Sequence, residues 1–326
     1  MKIALKMTGC KNNYYELEKI LEWAVKHNIP VVPENDADYC IINTCTVTHI
    51  ADKKSRQMVR KTKNSNKKIK TIVFGCAARI QKDEFKKIGE VDHLFGSLDE
   101  VIDFLSSQRH ESRIAPSDLC DPITRSRALV QIQDGCDNFC SYCIIAAARG
   151  RSKNHPQKEI IDEINKYFSQ GYNEVILTGI NIGAYGASTT KNPEESRLPE
   201  LLEEIIKKTE MPRIRLSSMG PEYFNERLYK VLKNPRICRH IHLSIQSCPD
   251  TVLERMRRNY SAKDVEMIIG RLKKDIPGIA ITTDIIVGFP EETEKEFKET
   301  LDFVKKNPLA KIHVIPWQKS MYSPIR

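Results

Sequence analysis

Cys136, Cys140 and Cys143 lie in one short run, Gly135-Cys-Asp-Asn-Phe-Cys-Ser-Tyr-Cys143, with three and then two residues between them. This spacing confines three thiols to a single loop, where they can hold three irons of a cubane cluster. The fourth iron is then open to a ligand the protein does not supply. A structural zinc or cluster site closes its coordination with a fourth protein ligand, whereas an open position is where chemistry happens. With S-adenosylmethionine on the open iron, an electron from the cluster cleaves the sulfonium and generates a carbon radical. Zinc completed by a distant residue, or chance clustering, are the competing readings. Zinc usually takes paired CxxC arms, and no second arm follows.

The 326 residues are too many for one ordinary domain and predict two, each with ample core. No apolar run approaches the ~20 residues of a membrane span. The N-terminal MKIALKMTGC reads as a first strand and not as a signal peptide. Ten cysteines in a chain of this length without a signal point to metal ligands in a reducing cytosol rather than to disulfides.

Strand and helix signals alternate over the first 110 residues. Strands are expected at Lys2–Thr8, Asp38–Asn43, Thr71–Phe74 and Asp92–Phe95, and helices at Asn13–Lys26, His49–Lys63, Gln81–Ile88 and Leu98–Ser106. This pattern predicts a small α/β unit, a flavodoxin-like doubly wound domain over residues 1–110. The polar stretch with Pro116 and Pro122 reads as a linker, residues 111–127. Six further strands begin at Ala128, Glu174, Arg213, His240, Ala280 and Lys311, with helical segments between them. They predict a partial, open (β/α)6 barrel over residues 128–326 in place of a closed eight-fold one. No third domain is expected after it.

Cys10, Cys45 and Cys76 each directly follow an expected strand, in KMTGC, IINTC and IVFGC. The carboxyl ends of parallel strands lie together and form the ligand crevice of such a sheet. The three thiols therefore converge into a second three-cysteine site despite their separation in sequence. Burial as three small apolar side chains is the alternative. Gly9 and Gly75 argue against it by letting backbone approach a bulky ligand. Cys40, Cys120, Cys238 and Cys248 have no such placement. Two open clusters imply a division of labour, one making the radical and the other holding a sulfur for the substrate carbon.

The net charge of +9 favours a polyanionic partner, usually RNA or DNA. The excess gathers at Lys53, Lys54, Arg56, Arg60 and Lys61, continuing to Lys70, and again at Arg255, Arg257 and Arg258. Solvated helix faces are the plainer explanation of such runs.

The motifs GCKNNYYELE, NTCTVT, FGCAAR, IQDGCDNFCSYCII, ARGR, GYNEVILTGINIGAYG, IRLSS, HIHLSIQS, LERMRRNY and TDIIVGFPEET occur in this order. Over essentially its whole length the chain resembles the methylthiotransferases, the radical S-adenosylmethionine family that includes MiaB, RimO and MtaB. The resemblance implies one 4Fe-4S cluster on Cys136, Cys140 and Cys143 and a second on Cys10, Cys45 and Cys76. It implies S-adenosylmethionine as both radical source and methyl donor, and tRNA as partner through its anticodon stem-loop. An electron donor such as flavodoxin or ferredoxin and a cytoplasmic setting away from membranes follow from the same likeness.

The segments around Cys10 and from Asn43 to Gln57 are most similar to the MtaB branch, which converts N6-threonylcarbamoyladenosine to its 2-methylthio form. Methylthiolation of N6-isopentenyladenosine, or a catalytically silent RNA-binding member, are the alternatives. Placement at barrel strand ends makes Thr178 and Gly179 candidates for the methionyl amino group, and Ser217 and Ser218 for ribose. Gln246 ends the next strand, and Asp284 and Gly288 belong to a motif near adenine. Tyr142 lines the adenine site or covers the cluster. Two departures from the family stand out. Ile144-Ile145-Ala146-Ala147 replaces the usual Ile-Ile-Pro-aromatic, which predicts a looser cysteine loop, and the usual C-terminal TRAM domain is not expected within these 326 residues.

Overall fold

A computed structural model describes residues 1–46, 49–108 and 126–318. The chain divides into two compact units, Met1–Arg125 and Ser126–Arg326. Cys120 and most of the expected linker lie outside the described residues.

In the first unit the order is β1 (Ile3–Met7), α1 (Lys11–Lys26), β2 (Tyr39–Thr44), α2 (His49–Ser65), β3 (Lys70–Gly75), α3 (Cys76–Ile80), α4 (Lys82–Lys86), β4 (His93–Leu94) and α5 (Leu98–Ser107). The four strands pair in parallel in the order β1-β2-β3-β4. A single bridge from Ile3 to Val31 adds a vestigial strand on the far side of β1. The spatial order is therefore that of a doubly wound sheet whose direction reverses between β1 and β2.

The helices occupy both faces, as that reversal requires. Leu17, Ile20 and Ala24 of α1 pack with Val101 and Leu105 of α5 on Ile3, Ile41, Ile72 and Phe74. Val59 of α2, with Ala77, Ala78 and Phe85, packs on Ala4, Cys40, Ile42 and Val73. All six residues of β2 are buried, which explains its continuous apolar run. Each fully buried Ile or Leu here contributes about 1.5–3 kcal/mol. The helix expected at Gln81–Ile88 is the shorter α4, and a further short helix, α3, precedes it and opens on Cys76 itself.

The second unit runs β5 (Ala128–Gln131), β6 (Gln133–Asp134), α6 (Ile145–Arg149), β7 (Lys153–Asn154), α7 (Gln157–Ser169), β8 (Glu174–Thr178), α8 (Leu198–Lys208), β9 (Arg213–Leu216), β10 (Ser218–Met219), α9 (Glu226–Leu232), β11 (His240–Gln246), α10 (Asp250–Arg255), α11 (Ala262–Asp275), β12 (Ala280–Val287), α12 (Glu294–Lys306) and β13 (Lys311–Pro316). Parallel pairing follows chain order, β5-β8-β9 and then β10-β11-β12-β13. The third strand ends at Leu216, and β10 follows it after Ser217, so β9 pairs with β8 while β10 pairs with β11. The result is the open six-stranded partial barrel.

Strand alternation separates two faces. Ile241, Leu243 and Ile245 of β11 join the core against the helices, and His240, His242, Ser244 and Gln246 take the opposite, concave face. Helix starts are locally encoded: Ser261 with Asp264 and Thr293 with Glu296 form capping boxes on α11 and α12. The expected strand from Ala128 to Gln133 ends early. Gln133 and Asp134 turn instead into a short antiparallel ribbon with Lys153 and Asn154, which closes the base of the cysteine loop.

Candidate functional site

In the first unit the ends of β1, β2 and β3 are tied together by side chains that the sequence motifs carry. Asn13 is fully buried, and its amide nitrogen lies 3.1 Å from the Thr8 carbonyl and 3.0 Å from both Asn43 Oδ1 and the Thr44 carbonyl. The Cys10 thiol donates to Asn13 Oδ1 at 3.4 Å. Ser55 on α2 accepts the Cys45 N–H at 3.2 Å and stands 2.7 Å from Thr8 Oγ1. Thr44 Oγ1 donates to the Phe74 carbonyl at 2.7 Å and accepts from the Ala78 N–H at 3.1 Å, which draws β2 towards the Cys76 helix.

Gly9 has φ +127°, and a Cβ there would stand 2.6 Å from Cys45 Cβ. Gly75, at φ +100°, would press on the Thr44 carbonyl at 2.6 Å. The glycines expected to make room for a ligand thus let neighbouring strand ends approach one another. Cys40 has no part in this site: it is fully buried in a strand, and burial pushes its thiol up to about 12. Cys238 and Cys248 are also buried, and burial alone pushes Cys248 up to about 12.

In the second unit Gly135 (φ +71°) opens the cysteine loop, and any Cβ there would collide with the backbone of Arg151. The Cys136 N–H donates to the Gly150 carbonyl at 3.0 Å. Gln133, fully buried, holds both sides of the loop base: its amide donates to the Gly135 carbonyl at 2.7 Å, and its Oε1 accepts from the Asn181 N–H at 2.8 Å. The Ile144–Ala147 segment is not loose, because it enters helix α6, whose Arg149 reaches both oxygens of Asp134 at 3.2 Å. Alanines suit that helix better than proline and an aromatic residue.

The loop is also fastened to the segment after α10. Ser141 donates from its Oγ to the Arg255 carbonyl at 2.7 Å and from its N–H to the Met256 carbonyl at 3.3 Å. This fastening corrects part of the basic-surface reading. Arg258 does not face solvent: its guanidinium donates to Cys140 Sγ at 3.3 Å, to the Ser244 carbonyl at 3.2 Å and to Tyr260 Oη at 2.9 Å. Arg255 is paired with Glu296 at 3.0 Å, and Arg257 alone of the three is exposed, in a left-handed turn at φ 57°. In the first unit Arg56 is likewise engaged, by Asp52 and Glu84 at 2.9 Å each, whereas Lys53, Lys54, Arg60 and Lys61 are exposed.

The donor set fits an iron–sulfur cluster. Burial, and after it the neighbouring cysteines, push the Cys136 thiol up to about 11 and the Cys143 thiol up to about 12. Three such thiols ionise together only beside concentrated positive charge, which bound iron supplies. Among the described residues no three Cys, His, Asp or Glu side chains are gathered tightly enough for one shared metal ion. A cubane needs no such group, because it takes one thiolate on each of three separate irons.

Buried polar atoms without hydrogen-bond partners lie around this loop. Glu222, 6% exposed, accepts from Asn138 at 3.4 Å through one oxygen, while the other has only Arg258 at 4.0 Å. Asn138 Oδ1 and, after the end of β9, the buried Ser217 Oγ have no hydrogen-bond partner among the described residues either. Such groups call for a polar ligand.

The remaining strand-end candidates divide. The Thr178 carbonyl accepts the Ile132 N–H at 2.9 Å, and a Cβ on Gly179 would meet the Gln133 carbonyl at 2.7 Å, so both have structural contacts. Ser218 faces the concave side with His242, and Gln246 ends its strand in a left-handed conformation at φ 68°. Asp284 is held by His242 Nε2 and His313 Nδ1, each at 3.1 Å. Burial raises its carboxyl, but those two imidazoles outweigh burial and hold it below the usual range. The Gly288 N–H donates to Glu292 at 2.5 Å. Tyr142 packs on Val252, Met256, Ile286 and Phe289. Gln133, Asn13, Ser55 and Glu222 were not singled out from the sequence, although Gln133 and Asn13 adjoin the cysteine motifs.

An open six-stranded partial barrel with Cys136, Cys140 and Cys143 on one loop, and a parallel sheet with Cys10, Cys45 and Cys76 at its strand ends, are the parts an enzyme of the radical S-adenosylmethionine class requires. Residues 130–304 match the Radical SAM superfamily, and residues 2–96 match the family described as Uncharacterized protein family UPF0004. The threonylcarbamoyladenosine tRNA methylthiotransferase MtaB of Thermotoga maritima is 36% identical, covering 96% of this chain and 74% of that protein. The Bacillus subtilis protein of the same name is also 36% identical, over 99% and 74%. A tRNA-2-methylthio-N(6)-dimethylallyladenosine synthase of Thermodesulfovibrio yellowstonii is 33% identical, over 93% and 73%. Among solved structures, the radical S-adenosylmethionine methyltransferase TsrM of Kitasatospora setae shares the fold at TM-score 0.70 and 15% identity, over 100% of this chain and 77% of that one. The chain belongs to the radical S-adenosylmethionine methylthiotransferase family.

Proposed function

We propose that the chain is a tRNA methylthiotransferase converting N6-threonylcarbamoyladenosine to its 2-methylthio form. The observation that carries this reading is the retention of both thiol sets: a contiguous trio on the barrel loop and a strand-end trio locked by Asn13, Ser55 and Thr44. Five relatives, 31–36% identical over most of the chain, bear the threonylcarbamoyladenosine name.

In this reading Cys136, Cys140 and Cys143 hold one 4Fe-4S cluster and Cys10, Cys45 and Cys76 the other. Bound there, the clusters and S-adenosylmethionine supply the electron, the carbon radical and the methyl group. The protein's part is positional. Ser141, Gln133 and Arg149 fix the loop, and Arg258 brings positive charge to Cys140. The unsatisfied oxygens of Glu222 and Ser217 suit the ammonium and hydroxyl groups of the cofactor. Thr178, Gly179, Ser218, Gln246, Asp284 and Gly288 complete its surroundings at the strand ends. Exposed Lys53, Lys54, Arg60, Lys61 and Arg257 suit tRNA phosphates. A small electron-transfer protein, flavodoxin or ferredoxin, would act as reductant in the cytoplasm, and no helix among the described residues is long and apolar enough to cross a membrane.

The isopentenyladenosine reaction is the second reading, because relatives named for dimethylallyladenosine are 31–33% identical. Anaerobic reconstitution followed by iron and sulfide counting, then incubation with reductant, S-adenosylmethionine and tRNA carrying either nucleoside, separates them. A methylthio mass gain on threonylcarbamoyladenosine is the expected result. Gain only on the isopentenyl nucleoside would replace the first reading by the second.

A further inference from the structure

A cleft of about 730 Å³ opens beside the carboxyl end of β1, between that strand end and one face of α2. Ile50, Lys54, Gln57, Met58 and Lys61 recur at helical spacing, so one stripe of α2 forms a whole wall. Its apolar part is Met7, Ile50 and Met58, and Ile50 is 57% exposed on an otherwise strongly charged helix. Lys54 and Lys61 stand two turns apart on the rim, about 10 Å along the axis. Both are exposed, and neither makes an ion pair among the described residues. Lys6, deeper in, is already committed to Glu34 and Thr62.

We propose that this cleft holds one unstacked nucleotide of the RNA substrate, with its base against Met7, Ile50 and Met58 and its flanking phosphates on Lys54 and Lys61. The inference rests on the tRNA reading above and adds a location to it. Proteins recognise RNA loops by splaying a base onto a side-chain platform while cations take the neighbouring phosphates. An apolar floor between two uncommitted ammonium groups offers both, and the Gln57 amide lies between them for a base edge. The volume is that of an ordinary small-ligand site. Arg56, on another face of the same helix, is held by two carboxylates and is left out of the contact.

The test is fluorescence anisotropy of a labelled, unmodified anticodon stem-loop RNA with the reconstituted full chain across a potassium chloride series. K54Q/K61Q is expected to weaken binding at low salt and to flatten the log–log salt slope by about 1.4, the value for two single-strand phosphate contacts. M58E should weaken binding at every salt concentration. K67Q/K68Q, in the same basic stretch but off the cleft, should keep the wild-type slope. If wild type binds and K54Q/K61Q shows the same slope, the cleft is not the nucleotide site and the tRNA reading stands. If wild type shows no salt-dependent RNA binding, the tRNA reading falls and this inference falls with it.

Discussion

The Arg258 guanidinium lies 3.3 Å from the Cys140 sulfur, on a side chain only 8% exposed, and shares its burial with the Glu222 carboxylate 4.0 Å away. Removing it would leave the buried Glu222 side chain without a basic partner among the described residues. Arg258→Ala should therefore destabilise the metal-free second unit by about 3 kcal/mol or more. Arg258→Lys should recover part of that loss. Urea unfolding of both variants reads this directly, and an unchanged midpoint for the alanine variant would mean the guanidinium is not structurally required.

Gly135 and Gly150 form a matched pair, both in the left-handed region at φ +71° and +75°. A Cβ at Gly135 meets the Arg151 backbone, and one at Gly150 meets nothing within 4 Å. Gly150→Ala should cost about 1–3 kcal/mol, the conformational penalty alone at φ +75° and ψ −161°. Gly135→Ala should cost at least about 2 kcal/mol more, because backbone must move. Equal melting temperatures would show that the loop accommodates the methyl group.

Cys45 and Cys140 should separate the two half-reactions. Cys140→Ala should abolish reductive cleavage of S-adenosylmethionine, since one of the three proposed ligands on the barrel loop is lost. Cys45→Ala should keep that cleavage, lower the iron count and stop methylthio transfer. Product at normal yield from the Cys45 variant would remove the strand-end site from the reaction.

Glu296 links α10 and α12 of the second unit: it accepts from Arg255 and Thr251 of α10 and from the Thr293 cap of its own helix. The Arg255 hydrogen bond, then those of Thr251 and Thr293, lower its carboxyl to about 2. A folded-state value below the unfolded one means the stabilisation is complete above the unfolded value, near 4, and is lost as pH falls towards 2. Wild type should thus exceed Glu296→Gln in stability at neutral pH, and the gap should close between about pH 4 and 2. A gap constant across that window would show that the charge contributes nothing. Thermal melts at stepped pH decide it.

The placement of Cys136, Cys140 and Cys143 on one loop was legible from spacing alone, because the three are near neighbours in sequence and need no fold to meet. The placement of Cys10, Cys45 and Cys76 after three strands was legible one step later, because strand–helix alternation already implies a parallel sheet and therefore a common carboxyl edge. Arg258 was misread as surface because an Arg-Arg pair in a polar run has the composition of a solvated face. Only its partner Cys140, 118 positions earlier, reveals the inward turn. Arg56 was misread for the same reason: Asp52, one helical turn away, was visible in the sequence, but Glu84 was not.

The sequence by itself determined the local chemistry: which residues are thiols, which stretches alternate, which helices begin on Ser261 or Thr293, and which family the chain resembles. Those properties depend on neighbours within a turn or a strand. The tertiary structure decided the rest. It placed Val31 beside β1 and so set the reversal point of the sheet. It brought Asn13, Ser55 and Thr44 to three strand ends, and it joined Glu222, Asn138 and Arg258 around one loop. Burial and charge pairing are properties of neighbours in space, and side chains a hundred positions apart become neighbours only when the strands between them have paired.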